Sequence, residues 1–371
     1  IAWESEILPA RLHNYDFTWL DDLCLSGRAG WARLAKSKIN DNSRRAGPVR
    51  STPIALVTRR NMPIWSAAAN SQFKNGAQTQ TGEPPALSSR AQRVLEYLQQ
   101  YGASFFDEII DGERMLPSEV EDALAELVAL GRITSDSFAG IRALLLPLDK
   151  RKPLHGHAGS RRRGRTAMFG IQDAGRWSLI REARHARTND DATESKGSNN
   201  EALEYIARTL LRRYGVIFWR VLAREAEWLP PWRDLLRVFR RLEARGEIRG
   251  GRFVGGISGE QFALPEALAT LRSMRRDKEA MNSELVCVSG ADPLNLAGII
   301  VPGPKVPALA GNRVLYRDGV AIGTLTGDEI QWLHKISSAE AGELKNALIM
   351  RTPGAPQLRP LRAKAYRQKA E

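Results

Sequence analysis

The chain has 371 residues, several times the length of a small domain, so its length predicts several small units rather than one large core. A content of 43% hydrophobic and 26% charged residues is ordinary for folded protein and excludes a chain that is disordered throughout. Lys and Arg outnumber Asp and Glu by 55 to 42, which gives a net charge of +13. This excess favours a polyanionic partner such as nucleic acid, although a basic surface kept only for solubility has the same composition.

Several function classes are disfavoured by what the sequence lacks. Cys24 and Cys287 are far apart and only five histidines occur, so neither a metal site nor a disulfide framework is predicted, and a reducing cytoplasm fits. The sequence has no apolar run long enough to predict a membrane span. It has no P-loop and no common hydrolase signature, so the segment by itself is not an ATPase and no cofactor is predicted. Because the chain begins at Ile1 without a Met or a signal-peptide pattern, we expect that it is cut from a longer protein.

The first 65 residues combine a helical pattern with a β-like run. Apolar residues recur at helical spacing in residues 16–34, and residues 53–58 have the composition of a strand. We interpret residues 1–65 as a partial module of the kind that repeats further along the chain. Residues 66–87, rich in Gln, Asn, Gly and Pro, are predicted to be a linker.

Residues 88–149 and 201–277 repeat one another. Tyr101-Gly102 and Leu116-Pro117 recur 113 positions later as Tyr214-Gly215 and Leu229-Pro230. After a two-residue insertion the offset is 115, and the matching positions are Leu127, Gly131, Ile133, Phe138 and Gly140 with Leu242, Gly246, Ile248, Phe253 and Gly255. Each copy predicts two helices, a third helix that starts near Pro and stops at Gly, and a strand pair around Phe-x-Gly. Three helices and a β-hairpin form the winged-helix plan, so we predict an α+β fold with tandem winged-helix modules, the first 65 residues being a partial one.

The remaining segments lie between and after these copies. Residues 150–200 are predicted to be a basic linker with a short strand, and residues 284–350 a β-rich, barrel-like module that ends in a helix from Ser338 to Met350. Within that module, Asp318-Gly319 is a hairpin turn signal between apolar runs. Residues 351–371 are predicted to be a basic tail.

The third helix of the second copy, predicted from Pro231 to Arg245, carries a row of arginines. Leu235, Leu236, Phe239 and Leu242 share one side, and the opposite side bears Arg233, Arg237, Arg240 and Arg241. Guanidinium groups aligned in this way can contact phosphates and base edges in the major groove of DNA. The predicted DNA-binding set also includes Arg245, Arg249 and Arg252 towards the wing, and Trp232 as a stacking or wedge residue. The alternative is a solvated face paired with Asp234, Glu243 and Glu247, or an interface with an acidic neighbour.

The first copy differs in charge. Its third helix carries Glu119, Glu121, Asp122 and Glu126 and lacks Lys and Arg from Ser118 to Gly131, so it should repel a phosphate backbone. We therefore interpret the first copy as a packing or assembly unit. The linker run Arg161, Arg162 and Arg163 could follow a phosphate backbone, or it could be a basic loop with no fixed role.

One short motif, residues 290–295, bears on catalysis. It resembles the Gly-Gln-Asp-Pro-Tyr segment of uracil-DNA glycosylases, in which the Asp helps to activate the attacking water. The resemblance implies Asp292 as the catalytic carboxylate and Asn295 as a base-edge contact. Here Ala replaces Gln and Leu replaces Tyr, and Asp-Pro is also an ordinary turn. Asp318 and Asp328 are alternative carboxylates.

Several long blocks resemble the C-terminal region of Lhr, the bacterial large helicase-related proteins of helicase superfamily 2. The blocks are residues 3–11, 214–262, 291–295 and 311–319. The resemblance implies tandem winged-helix modules, a barrel-like module, homo-oligomerisation and DNA repair, with a helicase motor upstream of Ile1. It also implies a similarity to winged-helix DNA glycosylases of the AlkZ type. Their two catalytic Gln residues separated by one position do not reappear, because Ala263 stands where the second would lie after Gln261.

Two hypotheses of different class follow. The first is a DNA-binding and assembly region of an Lhr-type helicase, cytoplasmic and nucleoid-associated, with uracil-DNA glycosylase activity. The second is a non-catalytic platform for oligomerisation and interaction that positions the upstream motor. DNA and further copies of the chain are the predicted partners, and no membrane is involved.

Overall fold

The computed structural model describes residues 2–34, 53–71, 87–145, 170–180, 192–276, 284–300 and 303–349. The chain divides into two compact units. The first unit comprises Asp16–Leu203 and Ala226–Pro231, and the second comprises Ile1–Tyr15, Glu204–Glu225 and Trp232–Glu371. Within the described ranges, no helix is long and apolar enough to cross a membrane.

The first unit opens with a helix and a strand pair. Its first elements are α1 (Thr18–Leu25), β1 (Ala29–Ala32), β2 (Ala55–Thr58) and α2 (Met62–Ser71). The two strands pair antiparallel, with Trp31 opposite Leu56. Trp31 is fully buried, and its indole N–H donates to the carbonyl of Ser137 at 2.8 Å, so the strand pair is fixed to the module that follows.

The first winged helix follows in the same unit. It consists of α3 (Ser89–Tyr101), α4 (Phe106–Glu113), α5 (Pro117–Ala129) and β3 (Ile133–Ser135). The Ser88 hydroxyl accepts from the backbone N–H of Ala91 and caps α3. Gly131, after α5, has a φ of +67°, the left-handed conformation that was predicted to end the third helix.

The wing of this first copy was predicted wrongly. Phe138 and Gly140 do not belong to a strand pair: Phe138 immediately precedes α6 (Ala139–Leu145), Gly140 lies within it, and β3 pairs instead with β4 (Trp177–Leu179). Gly140 lets α6 lie against this strand pair, because a Cβ there would be 2.3 Å from Ser135 Oγ and 3.2 Å from the Trp177 ring. Residues 150–200 thus supply a strand of the winged-helix sheet.

The second winged helix lies in the second unit. Its elements are α7 (Ala192–Tyr214, of which Glu204 onward belongs to this unit), β5 (Val216–Phe218), a 3₁₀ helix (Trp219–Arg224), α8 (Trp232–Ala244), β6 (Arg249–Gly251), β7 (Gln261–Ala263) and α9 (Pro265–Arg276). The three strands form an antiparallel sheet in the order β5, β7, β6. Here the strand pair around Phe253 is present as predicted.

The C-terminal part of the second unit is an open sheet covered by one helix. It contains β8 (Leu285–Ser289), β9 (Arg313–Arg317), β10 (Val320–Thr326), β11 (Glu329–Trp332) and α10 (Ser338–Ile349). Asp318 and Gly319 both have positive φ, as a two-residue hairpin turn requires. The barrel-like expectation was wrong for the described residues, because β8 and β11 remain the edges of a four-stranded sheet. The side chains of Leu344 and Leu348 on α10 bury one face of this sheet, so closure is not needed to cover it.

Candidate nucleic-acid interface

The arginine row of α8 lies on the solvent side of the helix. Leu235, Val238, Phe239 and Leu242 fill the other side and are completely buried. The side chains of Arg233, Arg237 and Arg240 keep 78%, 68% and 59% of their surface exposed, and Arg241 is also exposed. The spacing predicted from the sequence therefore places four guanidinium groups on one open surface, which we call the α8 arginine face.

Some of these arginines have carboxylate neighbours. Arg240 donates to both carboxylate oxygens of Glu260, at 3.0 and 3.1 Å, and Asp234 lies 3.6 Å from Arg233 and 3.3 Å from Arg237. In the described part of the chain, no ion-pair partner lies within reach of Arg241, Arg249 or Arg252. The pairs are exposed and weak, so phosphate groups can replace the carboxylates.

Arg245 contributes differently from the other predicted residues. It contacts Glu204 at 2.8 Å and Glu247 at 2.9 Å, and Arg208 contacts the same two carboxylates. Burial raises the pKa of Glu204, but hydrogen bonds and attraction from Arg208 and Arg245 outweigh it and hold the pKa below the usual value. This four-residue cluster links α7 to the C-terminal end of α8, so Arg245 serves the fold as well as the surface charge.

The wing next to the α8 arginine face is held by Gln261. Its side chain is 1% exposed, and its oxygen accepts from the backbone N–H groups of Phe253 and Val254 at 2.9 and 2.8 Å. Its amide nitrogen donates to the carbonyls of Val254 and Ile257. All four hydrogen-bonding positions of the amide are used by the wing turn, so this Gln is a structural residue of the wing.

Two tryptophans border the α8 arginine face. Trp232, predicted as a stacking or wedge residue, is half-buried, and its ring centroid lies 5.8 Å from that of Phe239, so part of the ring belongs to the core. Trp219 was not predicted, yet half of its surface is exposed. Its sequence signal is the pair of adjacent aromatics that each copy carries at this point, Phe105-Phe106 and Phe218-Trp219.

The acidic helix α5 of the first unit is engaged in local contacts. Glu119 accepts from the backbone N–H of Leu116 and pairs with Arg90 at 2.8 Å, while Glu126 accepts from the backbone and hydroxyl of Ser88. These carboxylates cap helix starts inside their own module. Arg161, Arg162 and Arg163 lie outside the described residues.

Asp292, the predicted catalytic carboxylate, is 1% exposed and bound on both oxygens. Arg11 donates to Oδ2 at 2.6 Å and to Oδ1 at 2.7 Å, and the backbone N–H of Leu294 donates to Oδ1 at 2.8 Å. Arg224 donates to the backbone carbonyls of Gly290 and Asp292. The motif therefore forms a buried turn clamped by two arginines that sequence analysis did not connect with it.

Asn295 is also enclosed. Its amide nitrogen donates to the carbonyls of Gly290 at 2.8 Å and Val306 at 3.0 Å. Its Oδ1 and the Nε of Arg224 are buried and have no hydrogen-bond partner among the described residues. Burial raises the pKa of nearby Tyr316, so its hydroxyl remains a donor, here to the carbonyl of Leu294 at 2.7 Å.

The two alternative carboxylates lie at opposite ends of β10. Asp318 occupies the turn before this strand and accepts from the backbone N–H of Glu284. Asp328 is exposed in the turn after the strand. The preceding Gly327 donates to Asn312, whose carbonyl accepts from Gly290, so the Asp328 turn and the Asp292 turn share one end of the sheet. Among the described residues, no group of three or more His, Cys, Asp or Glu side chains is placed to hold a metal ion.

Comparisons with known proteins identify two parts of the chain. Residues 1–57 and residues 196–283 each match a family model described as a winged-helix domain of large helicase-related protein. The chain is also similar to the Lhr helicase/uracil glycosylase of Escherichia coli (strain K12), with 29% identity over 324 residues. The Lhr helicase/probable uracil glycosylase of Mycolicibacterium smegmatis (strain ATCC 700084 / mc(2)155) is 26% identical over 318 residues. Both alignments cover 82% of this chain and 19% of the relative, so the chain spans about a fifth of the length of these proteins.

Proposed function

Because this chain belongs to the large helicase-related (Lhr) family and corresponds to a C-terminal part of it, we propose that its second winged helix binds DNA through α8 and the wing. The observation that carries the proposal is the α8 arginine face, exposed on the third helix of a winged helix. In this fold the third helix is the element that enters the major groove. The wing adds Arg249 and Arg252, which have no ion-pair partner among the described residues.

Electrostatics support the same surface. The phosphate backbone supplies most of the affinity of proteins that bind DNA without sequence preference, and arginine is well suited to phosphate because its donors form a rigid fork. The α8 arginine face and the two wing arginines together present six guanidinium groups, of which Arg240 must first exchange Glu260 for a phosphate. Because an exposed ion pair contributes little free energy, replacing Glu260 by a phosphate costs little free energy.

A salt titration of duplex binding tests the proposal. Six phosphate contacts predict that affinity falls on the order of 10³-fold between about 50 and 200 mM salt. Fluorescence anisotropy of a labelled duplex measures this directly. Binding that does not depend on salt, or no binding at all, would leave the alternative function, a non-catalytic platform for assembly. The acidic, internally capped helix α5 of the first unit favours that alternative.

Base excision is the second candidate function, because uracil glycosylase is part of the names of both relatives. Asp292 remains the carboxylate we propose for it, with Asn295 beside it, although the Arg11 clamp must open before Asp292 can activate water. Asp328 is the exposed carboxylate at the same end of the sheet and is the first alternative, followed by Asp318.

Alkali-induced strand cleavage of a uracil-containing oligonucleotide checks this candidate. We expect the intact chain to produce abasic sites, and Asp292→Asn to abolish them while DNA affinity stays unchanged. Asp328→Asn is the matched variant at the same end of the sheet. Loss of cleavage in Asp328→Asn alone would transfer the role to that residue, and no cleavage by the unmodified chain would remove the candidate function.

The role of the longer polypeptide and the cellular process to which it contributes are further parts of the proposal. We propose that the chain acts in DNA repair, attached to the helicase motor of the same polypeptide, and that further copies associate through this region. DNA as the ligand fits a cytoplasmic, nucleoid-associated location.

A further inference from the structure

The side chain of Trp219 is exposed, although the residues around it are anchored to the core. It begins the 3₁₀ helix between β5 and α8, and 50% of its surface is open to solvent. The neighbouring side chains of Phe218 and Val221 are each 1% exposed and fix the helix to the core. Arg220 further donates to the carbonyl of Gly298 at 3.2 Å. The large apolar ring of Trp219 therefore lies at the surface, while the nearby side chains of Phe218 and Val221 are packed in the core.

The ring lies beside the α8 arginine face. A Cβ built on Gly259, in the wing loop just before β7, would lie 3.6 Å from Cδ1 of Trp219, so the ring edge adjoins the wing. The next residue along the wing, Glu260, is the one that binds Arg240 of α8. Gly259 and Glu260 thus connect the exposed indole to Arg240 of the α8 arginine face.

The indole has the properties of a stacking partner for a base. Within the described residues, its N–H makes no hydrogen bond and its ring makes no aromatic or cation–π contact. Every base has a π-face, and stacking on an aromatic side chain does not depend on base identity. In the interior of a duplex both faces of each base are covered by neighbouring pairs, so such a ring stacks there only on a base that is unpaired or displaced from the stack.

The first winged helix provides an internal comparison. Its aromatic pair Phe105-Phe106 aligns with Phe218-Trp219, but the order is reversed: the second aromatic, Phe106, is buried and the first, Phe105, is 48% exposed. The backbone N–H of Phe105 donates to Glu108, and Asp107 also lies in the first turn of the helix that follows, so acidic residues rather than arginines follow Phe105 in the chain. Only the second copy combines an exposed aromatic with an arginine face.

We propose that Trp219 stacks on an unpaired nucleotide next to the phosphates held by α8, so that this module prefers DNA containing a single-stranded segment or an unpaired base. The proposal rests on the DNA binding proposed above and specifies the class of DNA.

The test compares variants of the full chain on two probes, labelled oligothymidine and a duplex of matched length. We expect Trp219→Ala to weaken binding to oligothymidine about tenfold and to leave duplex binding unchanged, because stacking on one base contributes roughly that factor. Trp219→Phe should keep most of the affinity. Phe105→Ala, which removes the exposed ring of the aligned aromatic pair in the acidic copy, is the control and should change neither affinity.

The outcomes separate this proposal from the one on which it rests. If the unmodified chain binds neither probe, DNA binding itself fails. If it binds duplex DNA with the expected salt dependence but Trp219→Ala binds oligothymidine as the unmodified chain does, only the stacking proposal is overturned. Equal losses on both probes, or a changed oligomeric state with unchanged DNA affinity, would also overturn it. Thermal unfolding of each variant confirms that the fold is intact.

Discussion

Replacing Arg233, Arg237, Arg240 and Arg241 together by alanine is expected to weaken duplex binding on the order of 10³-fold at about 0.1 M salt. Each phosphate contact contributes about 0.9 to the slope of log affinity against log salt, so removing four contacts lowers the slope by about 3.6. Taken from about 1 M down to about 0.1 M salt, this lower slope corresponds to roughly 3.6 decades of lost affinity. The four side chains are exposed, and the buried side of α8 is untouched, so the fold should persist. Anisotropy titrations at several salt concentrations measure both the affinity and the slope.

The first winged helix offers a control with the same change in charge. Four of its exposed arginines are Arg90, Arg93, Arg114 and Arg132. Replacing these four by alanine also removes four positive charges but leaves the α8 arginine face intact. We expect this control to bind duplex DNA nearly as well as the unmodified chain. Equal weakening by both quadruple variants would mean that net charge attracts DNA and that α8 is not the specific contact.

Arg11→Ala is expected to lower the free energy of unfolding of the second unit by about 3 kcal/mol or more. Asp292 is 1% exposed in the intact protein, and removing this arginine leaves its carboxylate with the backbone N–H of Leu294 as its remaining donor among the described residues. Asp292→Ala should cost less, because the Arg11 side chain is 31% exposed and can turn to water. The double alanine variant should recover part of the stability that Arg11→Ala loses.

Thermal and urea unfolding of the four proteins of this cycle measure the coupling between the two side chains. Arg317→Ala, in β9 of the C-terminal sheet, is the control. Arg317 pairs with the exposed Glu340 at 3.3 Å, and an exposed pair contributes at most about 1 kcal/mol. A loss no larger in Arg11→Ala than in Arg317→Ala would show that the clamp is not a stabilising element. The clamp would then be free to open for catalysis at little cost.

The elements that sequence analysis predicted well are those fixed by nearby residues. The spacing of Arg and Leu residues in α8 predicted which side of the helix is buried and which is exposed, because both sets follow the helical period over a few turns. Asp318-Gly319 gave the β9–β10 hairpin, because only a turn with two positive φ values joins strands so closely. Gly131 and Gly246 gave the ends of the third helices for a similar local reason.

The features that were missed depend on residues far apart in the chain. Arg11 and Asp292 are separated by 281 positions, and no local pattern pairs an arginine near the N-terminus with a turn near the C-terminus. The motif around Asp292 suggested an open catalytic carboxylate, whereas its burial follows from that distant contact. Gln261 was considered only for chemistry, while its amide is used entirely by the wing turn.

Formation of the wing strand pair is expected to depend on a more distant segment in the first winged helix than in the second. In the second copy, Gly251 and Gln261 pair across a wing of ten positions. In the first copy, Ser135 pairs with Trp177, 42 positions further on, so closing the longer loop costs about 1 kcal/mol more in chain entropy. The helix α6 and the hydrogen bond from Ser137 to the carbonyl of Ala174 draw the two ends of that loop together. The wing strands of the copy with the acidic helix therefore pair less locally, and this pairing should form later than that of β6 and β7 in the copy that carries the arginine face.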